Sequence, residues 1–193
     1  MKRFETDKIR NVALAGQGGS GKTSLAEAML FVSGATKRLG KVDDQNSILD
    51  YDPEEKSHRL TISTGVASFE HQKHKITLLD TPGYDVFLFD GMGALHAAEA
   101  VVLVAGADSE VKFEAEKMWA QAQRLELPRI VAVTKLDKEN TSFDKVMDSL
   151  ARHFEANFVR TMLPIGSGSS FKGYVDLVKN KAFTFADDSG KAQ

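Results

Sequence analysis

A glycine-rich run near the start of the chain has the residue types and spacing that bind phosphate. From Gly16 to Thr23 it follows the pattern Gly-x-x-x-x-Gly-Lys-Thr, between an apolar run and a helical pattern. Glycines let successive backbone N–H groups converge on one phosphate, and the helix start adds the positive end of its dipole. We expect Lys22 to bridge two phosphates and the Thr23 hydroxyl to bind Mg²⁺; the alternative is a flexible glycine turn. The expected nucleotide-binding residues in this run are Gly16, Gln17, Gly18, Gly19, Ser20, Gly21, Lys22, Thr23 and Ser24.

A second candidate site lies where an apolar strand is expected to end. Residues 80–83 read Asp-Thr-Pro-Gly and follow the apolar run 76–79. A carboxylate there can hold Mg²⁺, through water, and Gly83 can bring its N–H close to a terminal phosphate because it has no side chain. Alone, the four residues would be an ordinary turn. Their position after the phosphate-binding run favours Asp80 as a metal ligand and a catalytic role for Gly83.

A third candidate site reads Thr-Lys-Leu-Asp and follows the apolar run 130–133. The carboxylate of Asp137 can accept two hydrogen bonds from guanine, whereas adenine offers no such donor pair. Lys135 can lay its methylene stem along the base and brace the phosphate loop. A solvated Lys–Asp pair at a helix start is the alternative. Third in this ordered series, Thr134, Lys135 and Asp137 are expected to bind the guanine base.

One further candidate lies in the polar, aperiodic segment 36–63, which is longer than an ordinary connection. In nucleotide switches, a threonine from such a segment completes the Mg²⁺ shell only when the γ-phosphate is present. Thr61 fits that role, as a metal ligand and a catalytic residue. The alternative is a strand-forming residue between Leu60 and Ile62.

The elements that must position these residues alternate between strands and helices. Such alternation predicts an α/β fold, with a mainly parallel sheet and helices on both faces. Near Asn157 the pattern changes to strands without helices, which predicts a separate antiparallel element. We therefore expect one domain over 1–156 and the beginning of a second over 157–193, with a polar tail at 187–193. The expected strands are 11–15, 66–71, 75–79, 101–105, 130–134, 159–164 and 173–185, and the expected helices are 22–32, 84–98, 110–125 and 143–154.

Composition narrows the functional class. The chain has 193 residues and a net charge of −2, so nothing global favours binding to nucleic acid, and we expect no sequence-specific contact with it. It has no cysteine, which excludes disulfides and thiolate zinc sites and fits a cytoplasmic protein. The longest apolar stretch, Ala100 to Ala105, is far too short to cross a membrane.

With its three motifs in order, the chain resembles the translational GTPases, and specifically the N-terminal G domain of elongation factor G. The resemblance runs from about residue 10 to 185. It includes Asp-Val-Phe at 85–87, Leu-Pro-Ile-Gly at 163–166 and Phe-Lys-Gly-Tyr-Val-Asp-Leu at 171–177. Residues 18–20, Tyr84 and Thr134 are more similar to the second paralogue of that factor. The resemblance implies the P-loop GTPase fold, hydrolysis of GTP to GDP, Mg²⁺ as cofactor and the ribosome as partner.

The chain departs from the family pattern at several positions. Histidine is usual at Gln17 and aspartate at Gly19, and asparagine is commoner at Thr134. The catalytic histidine of the family is replaced by Tyr84, and a phenol is a poor base at neutral pH. No Ser-Ala guanine loop is present, since the resemblance implies that residues 157–193 begin the inserted subdomain of a five-domain protein. The last core strand and helix are then missing as well.

Three functional hypotheses remain open on the sequence. The first is a Mg²⁺-dependent GTPase, slow in this fragment. The second is a module that reports nucleotide state to the ribosome and hydrolyses little, which Tyr84 favours. The third is an ATP-binding P-loop protein, against which Asp137 argues.

Overall fold

Strands and helices alternate along most of the chain, in a computed structural model that describes residues 3–185. The tail expected at 187–193 lies outside the described residues. The strands are β1 Ile9–Ala15, β2 Gly65–His71, β3 His74–Asp80, β4 Ala100–Gly106, β5 Arg129–Thr134, β6 Met162–Ile165, β7 Gly173–Asp176 and β8 Lys181–Thr184. The helices are α1 Lys22–Val32, α2 Pro53–His58, α3 Leu88–Leu95, α4 Phe113–Arg124 and α5 Phe143–Phe154, with 3₁₀ turns at Thr6–Lys8, Asp85–Phe87 and Gly168–Ser170.

The larger sheet has five strands in the order β2-β3-β1-β4-β5. β1 pairs in parallel with both β3 and β4, and β2 pairs antiparallel with β3. The hairpin between β2 and β3 turns at Gln72 and Lys73, which both have positive φ angles, as a two-residue hairpin turn requires. The predicted α/β fold with a mostly parallel sheet is confirmed.

The register of β1 and β3 brings two of the predicted motifs together. Leu14 is paired with Asp80, so the phosphate loop after β1 and the turn after β3 leave the same edge of the sheet. Thr81 locks this arrangement, because its hydroxyl donates to the Leu14 carbonyl at 2.7 Å and its N–H donates to the same oxygen at 3.2 Å. Below them, a buried cluster joins the sheet to α1 and to the polar segment: Leu14, Ala26, Leu30, Leu49 and Leu78.

The polar segment 36–63 contains a helix that the sequence prediction missed. α2 begins after Asp52, whose side chain accepts from the Glu54 N–H, while the Glu55 carboxylate accepts from the Asp52 N–H. This reciprocal capping box, with Pro53 in the first turn, is a recognised helix start. At only six residues α2 is too short to show a helical period, so only its cap could have been read from the sequence.

The smaller sheet has three antiparallel strands in the order β6-β7-β8. The expected single strand over 173–185 is wrong, since it is divided into β7 and β8 by a turn that begins after Asp176. The carboxylate of Asp176 accepts from the N–H groups of Val178 and Lys179, which closes that turn. Across the two strands, the rings of Tyr174 and Phe183 stack with centroids 5.2 Å apart.

The chain divides into two compact units. Within residues 3–185, the first comprises residues 3–104 and 112–132, and the second comprises residues 105–111 and 133–185. Among residues 3–185, no helix has the length and apolar character needed to cross a membrane.

Candidate functional site

The phosphate loop connects β1 to α1 and is built around the side chain of Lys22. Its buried ammonium group donates to the carbonyl oxygens of Gly16 and Gln17, both at 2.9 Å. Burial lowers the pKa of Lys22 to about 8, although Asp80 and Glu114 nearby favour the charged form. The loop thus holds a cation among backbone carbonyls where an anionic ligand is expected.

Two glycines of this loop are required by the backbone. Gly16 has a φ angle of 141° and its Cα lies so close to the Val104 carbonyl that a side chain would collide with it. Gly21 has a φ angle of 93° and caps the start of α1. Because L-residues avoid this region, the loop could not keep its path with side chains at these positions. In the described part of the chain, no side chain caps the start of α1, so its first N–H groups are available to a phosphate.

The hydroxyls predicted to hold a metal ion are adjacent. Thr23 Oγ1 and Thr61 Oγ1 lie 3.1 Å apart, and both residues are buried. The Thr61 hydroxyl donates to Asp50 Oδ1 at 2.9 Å. Thr23 and Thr61 thus come together as predicted, with Asp50 as an additional member that the sequence prediction missed.

Asp80 lies at the end of β3 and is fully buried, with 0% of its surface exposed. Neither of its carboxylate oxygens has a hydrogen-bond partner among the described residues. Burial raises the pKa of Asp80 to about 7, against the Thr23 hydroxyl and the Lys22 ammonium, which favour the charged form. A buried carboxylate without partners is costly, and a bound cation would remove that cost.

These donors fit Mg²⁺. The ion prefers hard oxygen ligands, and Thr23, Thr61 and Asp80 offer two hydroxyls and a carboxylate. Within residues 3–185, no group of three or more carboxylate and imidazole side chains could hold a metal alone. An ion here therefore also needs oxygens from phosphate or water, which is typical of Mg²⁺ bound with a nucleotide.

Gly83 and Tyr84 lie against the phosphate loop. A side chain on Gly83 would meet Lys22 Nζ and the peptide between Gln17 and Gly18. The ring of Tyr84 covers Gly18, since a Cβ added to Gly18 would lie 2.7 Å from Tyr84 Cζ. The turn after β3 therefore packs directly on the loop that follows β1, as the motif order suggests.

The remaining loop residues differ in their surroundings. Gln17 is buried, and its Oε1 accepts from the Lys112 N–H at 2.8 Å, which fixes the loop to the residue before α4. Ser20 is buried, and its N–H donates to the Gln17 carbonyl at 3.3 Å. Gly19 and Ser24 are exposed.

The predicted guanine-binding residues belong to the second unit. Thr134 ends β5, where its carbonyl accepts from the Ala107 N–H at 2.9 Å and its hydroxyl donates to the Ala105 carbonyl at 3.4 Å. Lys135 Nζ pairs with Asp108 Oδ2 at 2.7 Å, a partner that the sequence prediction missed. The Asp137 side chain is 63% exposed, and its Oδ2 lies 3.9 Å from Lys138 Nζ. The roles of Lys135 and Asp137 toward a base stay predictions.

A further acidic residue, Glu27, was also missed. It is fully buried on α1, where Oε1 accepts from Ser47 Oγ at 2.7 Å and from the Ile48 N–H at 2.6 Å. In the sequence Glu27 stands at a position of α1 that could face solvent. Its partners are twenty or more residues away, so no local pattern could have identified it.

The chain is similar to proteins of known family. The family model described as the elongation factor Tu GTP binding domain matches residues 7–186. A crystal structure of a protein from Thermus thermophilus is similar over 96% of this chain, with 38% sequence identity and a TM-score of 0.88. The chain spans 28% of the length of that protein.

Proposed function

The chain belongs to the translational GTPases that carry an elongation factor Tu-type GTP-binding domain, and on that basis we propose that it binds GTP and GDP with Mg²⁺ and hydrolyses GTP. One observation carries the proposal. The Thr23 and Thr61 hydroxyls, 3.1 Å apart, accompany a buried Asp80 carboxylate without hydrogen-bond partners among residues 3–185, beside the Lys22 ammonium. Hydroxyl, carboxylate and ammonium groups together are what a magnesium–phosphate group requires.

The residues divide the work of phosphoryl transfer. The loop N–H groups and Lys22 hold the β- and γ-phosphates, and Thr23, Thr61 and Asp80 hold the ion. Bound Mg²⁺ neutralises the charge that develops on the phosphate oxygens. The Gly83 N–H orients the γ-phosphate, Asp137 selects guanine, and water attacks in line. Catalysis then rests on positioning and electrostatics.

A second candidate function is a nucleotide-sensing module that hydrolyses little. Tyr84 favours it, because a phenol, which is a poor base, replaces the histidine usual in elongation factor G and lies over Gly18. In that role the Thr61 segment reports whether a γ-phosphate is present. The two functions differ only in whether phosphate is released at a useful rate.

The finer assignment is also a proposal. Residues 18–20, Tyr84 and Thr134 are similar to the second paralogue of elongation factor G, and the parent protein would act on the ribosome in the cytoplasm. The Thermus protein covered in part by this chain is 38% identical, which supports a multidomain parent.

Single-turnover release of phosphate from GTP tests the enzymatic proposal. We expect slow, Mg²⁺-dependent release by this chain, and none by Lys22→Ala, which removes the phosphate-binding ammonium. Release that continues unchanged in Lys22→Ala would overturn the assigned site. Absence of release, with GTP still bound tightly, would favour the sensing module.

A further inference from the structure

Glu27 connects the helix after the phosphate loop to the polar segment 36–63. It follows Thr23 by four residues on α1, so the two side chains project from neighbouring turns on the same side of the helix. Its Oε1 accepts three hydrogen bonds from this segment: from Ser47 Oγ at 2.7 Å, the Ile48 N–H at 2.6 Å and the Leu49 N–H at 3.3 Å. Glu27 is 0% exposed, so these bonds form away from water.

The hydrogen bonds continue from Ser47 to the predicted metal ligands. Ser47 Oγ accepts from the Asp50 N–H at 3.2 Å, and Asp50 Oδ1 accepts from the Thr61 hydroxyl at 2.9 Å. Thr61 Oγ1 also lies 3.1 Å from Thr23 Oγ1. The chain of contacts therefore begins on α1 at Glu27 and ends on α1 at Thr23.

Two further residues of the segment pack around Glu27. Leu49 is buried in the core against α1, next to the N–H that Glu27 binds. On the other side, a side chain on Gly40 would collide with the Glu27 carboxylate. The carboxylate is thus enclosed by two separate parts of the same segment.

A second buried glutamate shows what a purely local role looks like. Glu55 accepts from the N–H groups of Asp52, Ile62 and Ser63, and so stabilises α2 and the residues beyond it. These three bonds stay within the segment. Glu27 differs because it joins the segment to the helix that carries Thr23.

We infer that Glu27 is a positioning residue that holds Asp50, and through it the Thr61 hydroxyl, at the start of α1. The inference rests on the proposed function, since it assigns Glu27 to the magnesium–nucleotide site. Without the Glu27 carboxylate, the segment loses the acceptor that fixes residues 47–49. Thr61 is expected to bind the metal ion only when a γ-phosphate is present. Loss of the Glu27 carboxylate should therefore lower the affinity for GTP and leave that for GDP nearly unchanged.

The test compares magnesium-bound GDP and a non-hydrolysable GTP analogue on the whole chain. Glu27→Met keeps the length of the side chain but removes the acceptor. We expect this variant to lower the affinity for the analogue by about tenfold or more, the factor for one lost charge-assisted hydrogen bond. Its affinity for GDP should fall by much less. Glu27→Gln keeps an acceptor oxygen and should restore most of the selectivity. Exchange of the Ile48 and Leu49 amides should accelerate in Glu27→Met without nucleotide, while β1 amides stay slow.

Controls separate this role from general destabilisation. Glu54→Gln changes an exposed glutamate of the same segment and should leave both affinities unchanged. Ser47→Ala removes the link between Glu27 and Asp50, and should lower affinity for the analogue in the same direction even if Glu27→Met fails to fold. If the unmutated chain binds neither nucleotide, the proposed function fails. If it binds both, and Glu27→Met and Ser47→Ala weaken them equally or not at all, the inference about Glu27 is wrong.

Discussion

The ring of Tyr84 lies over the backbone of Gly18, so that a Cβ at position 18 would be 2.7 Å from Tyr84 Cζ. The two residues belong to different motifs, which follow the paired strands β1 and β3. The phenol is 43% exposed and is therefore free to turn toward water. The phosphate loop and the turn after β3 are thus matched in shape at this point.

Gly18→Ala should displace the Tyr84 ring and not the loop. Since the ring can rotate outward, we expect a loss in unfolding free energy below about 1 kcal/mol, less than overpacking causes in a closed core. Peptide-resolved nitration by tetranitromethane should become faster at Tyr84. Tyr51, which is exposed already, provides an internal control. Unchanged nitration at Tyr84 would show that the ring does not depend on Gly18.

Tyr84→Phe should change intrinsic GTP hydrolysis little. A phenol is a poor base at neutral pH, and phenylalanine retains the ring that covers Gly18. The measurement is single-turnover phosphate release at neutral pH. In a longer chain with ribosomes, Tyr84→His should increase turnover without altering GTP affinity. Loss of a robust rate in Tyr84→Phe would make the hydroxyl catalytic.

Asp80→Asn should stabilise the nucleotide-free protein at pH 8 by about 1 kcal/mol or more, because the buried carboxylate has no hydrogen-bond partner among the described residues. Burial raises the pKa of Asp80 from 3.8 to about 7. Between pH 3.8 and about 7, the Asp80 carboxyl is therefore protonated in the folded protein and ionised in the unfolded chain. The stability that this proton contributes is complete below pH 3.8 and is lost as pH rises through about 7.

Thermal melts at about pH 5 and pH 8 check this sign. The advantage of Asp80→Asn should be small at the lower pH, where the unmutated carboxyl is largely protonated, and larger at the higher pH. Adding GDP with Mg²⁺ should stabilise the unmutated chain more than the variant, since the carboxylate then gains a cation. The opposite order at the two pH values would show that Asp80 is not the buried acid described.

Asp137→Asn should lower the affinity for GDP and raise the affinity for xanthosine diphosphate. The amide presents a donor where guanine also presents one, and each lost charge-assisted hydrogen bond costs roughly 1.5–3 kcal/mol. Titrating both labelled nucleotides measures the ratio. Asp148→Asn, an exposed aspartate on α5, is the matched control and should leave the ratio unchanged.

The sequence predicts those elements and site residues that follow a recognisable pattern. α1 begins at Lys22 and ends at Val32, and α5 spans Phe143–Phe154, as predicted from apolar spacing. Thr23 and Thr61 were predicted to share a metal, and their hydroxyls are 3.1 Å apart although the residues are far apart in the chain. That prediction rested on the length and polarity of segment 36–63, which contains Thr61, and a metal ion shared by the two hydroxyls stays a prediction.

Contacts that depend on how a long segment folds could not be predicted from the sequence. Asp50 and Glu27 are ordinary acidic residues in the sequence, and only burial shows that each accepts specific donors. Asp108 likewise pairs with Lys135 from a turn after β4, and the sequence of that turn has no periodic pattern from which the contact could be predicted. The helix α2 is different, because its capping box of Asp52 and Glu55 is a local sequence pattern.

Competition between guanine and adenine nucleotides tests the central claim most directly. Labelled GDP is bound to the whole chain with Mg²⁺, and unlabelled GTP, GDP, ATP and ADP are added in turn, with the series repeated in a magnesium chelator. We predict that GTP and GDP displace the label at far lower concentration than ATP or ADP, and that chelation weakens binding. Equal displacement by ATP and GTP, or binding of GDP and GTP that is indifferent to magnesium, would contradict the assigned site.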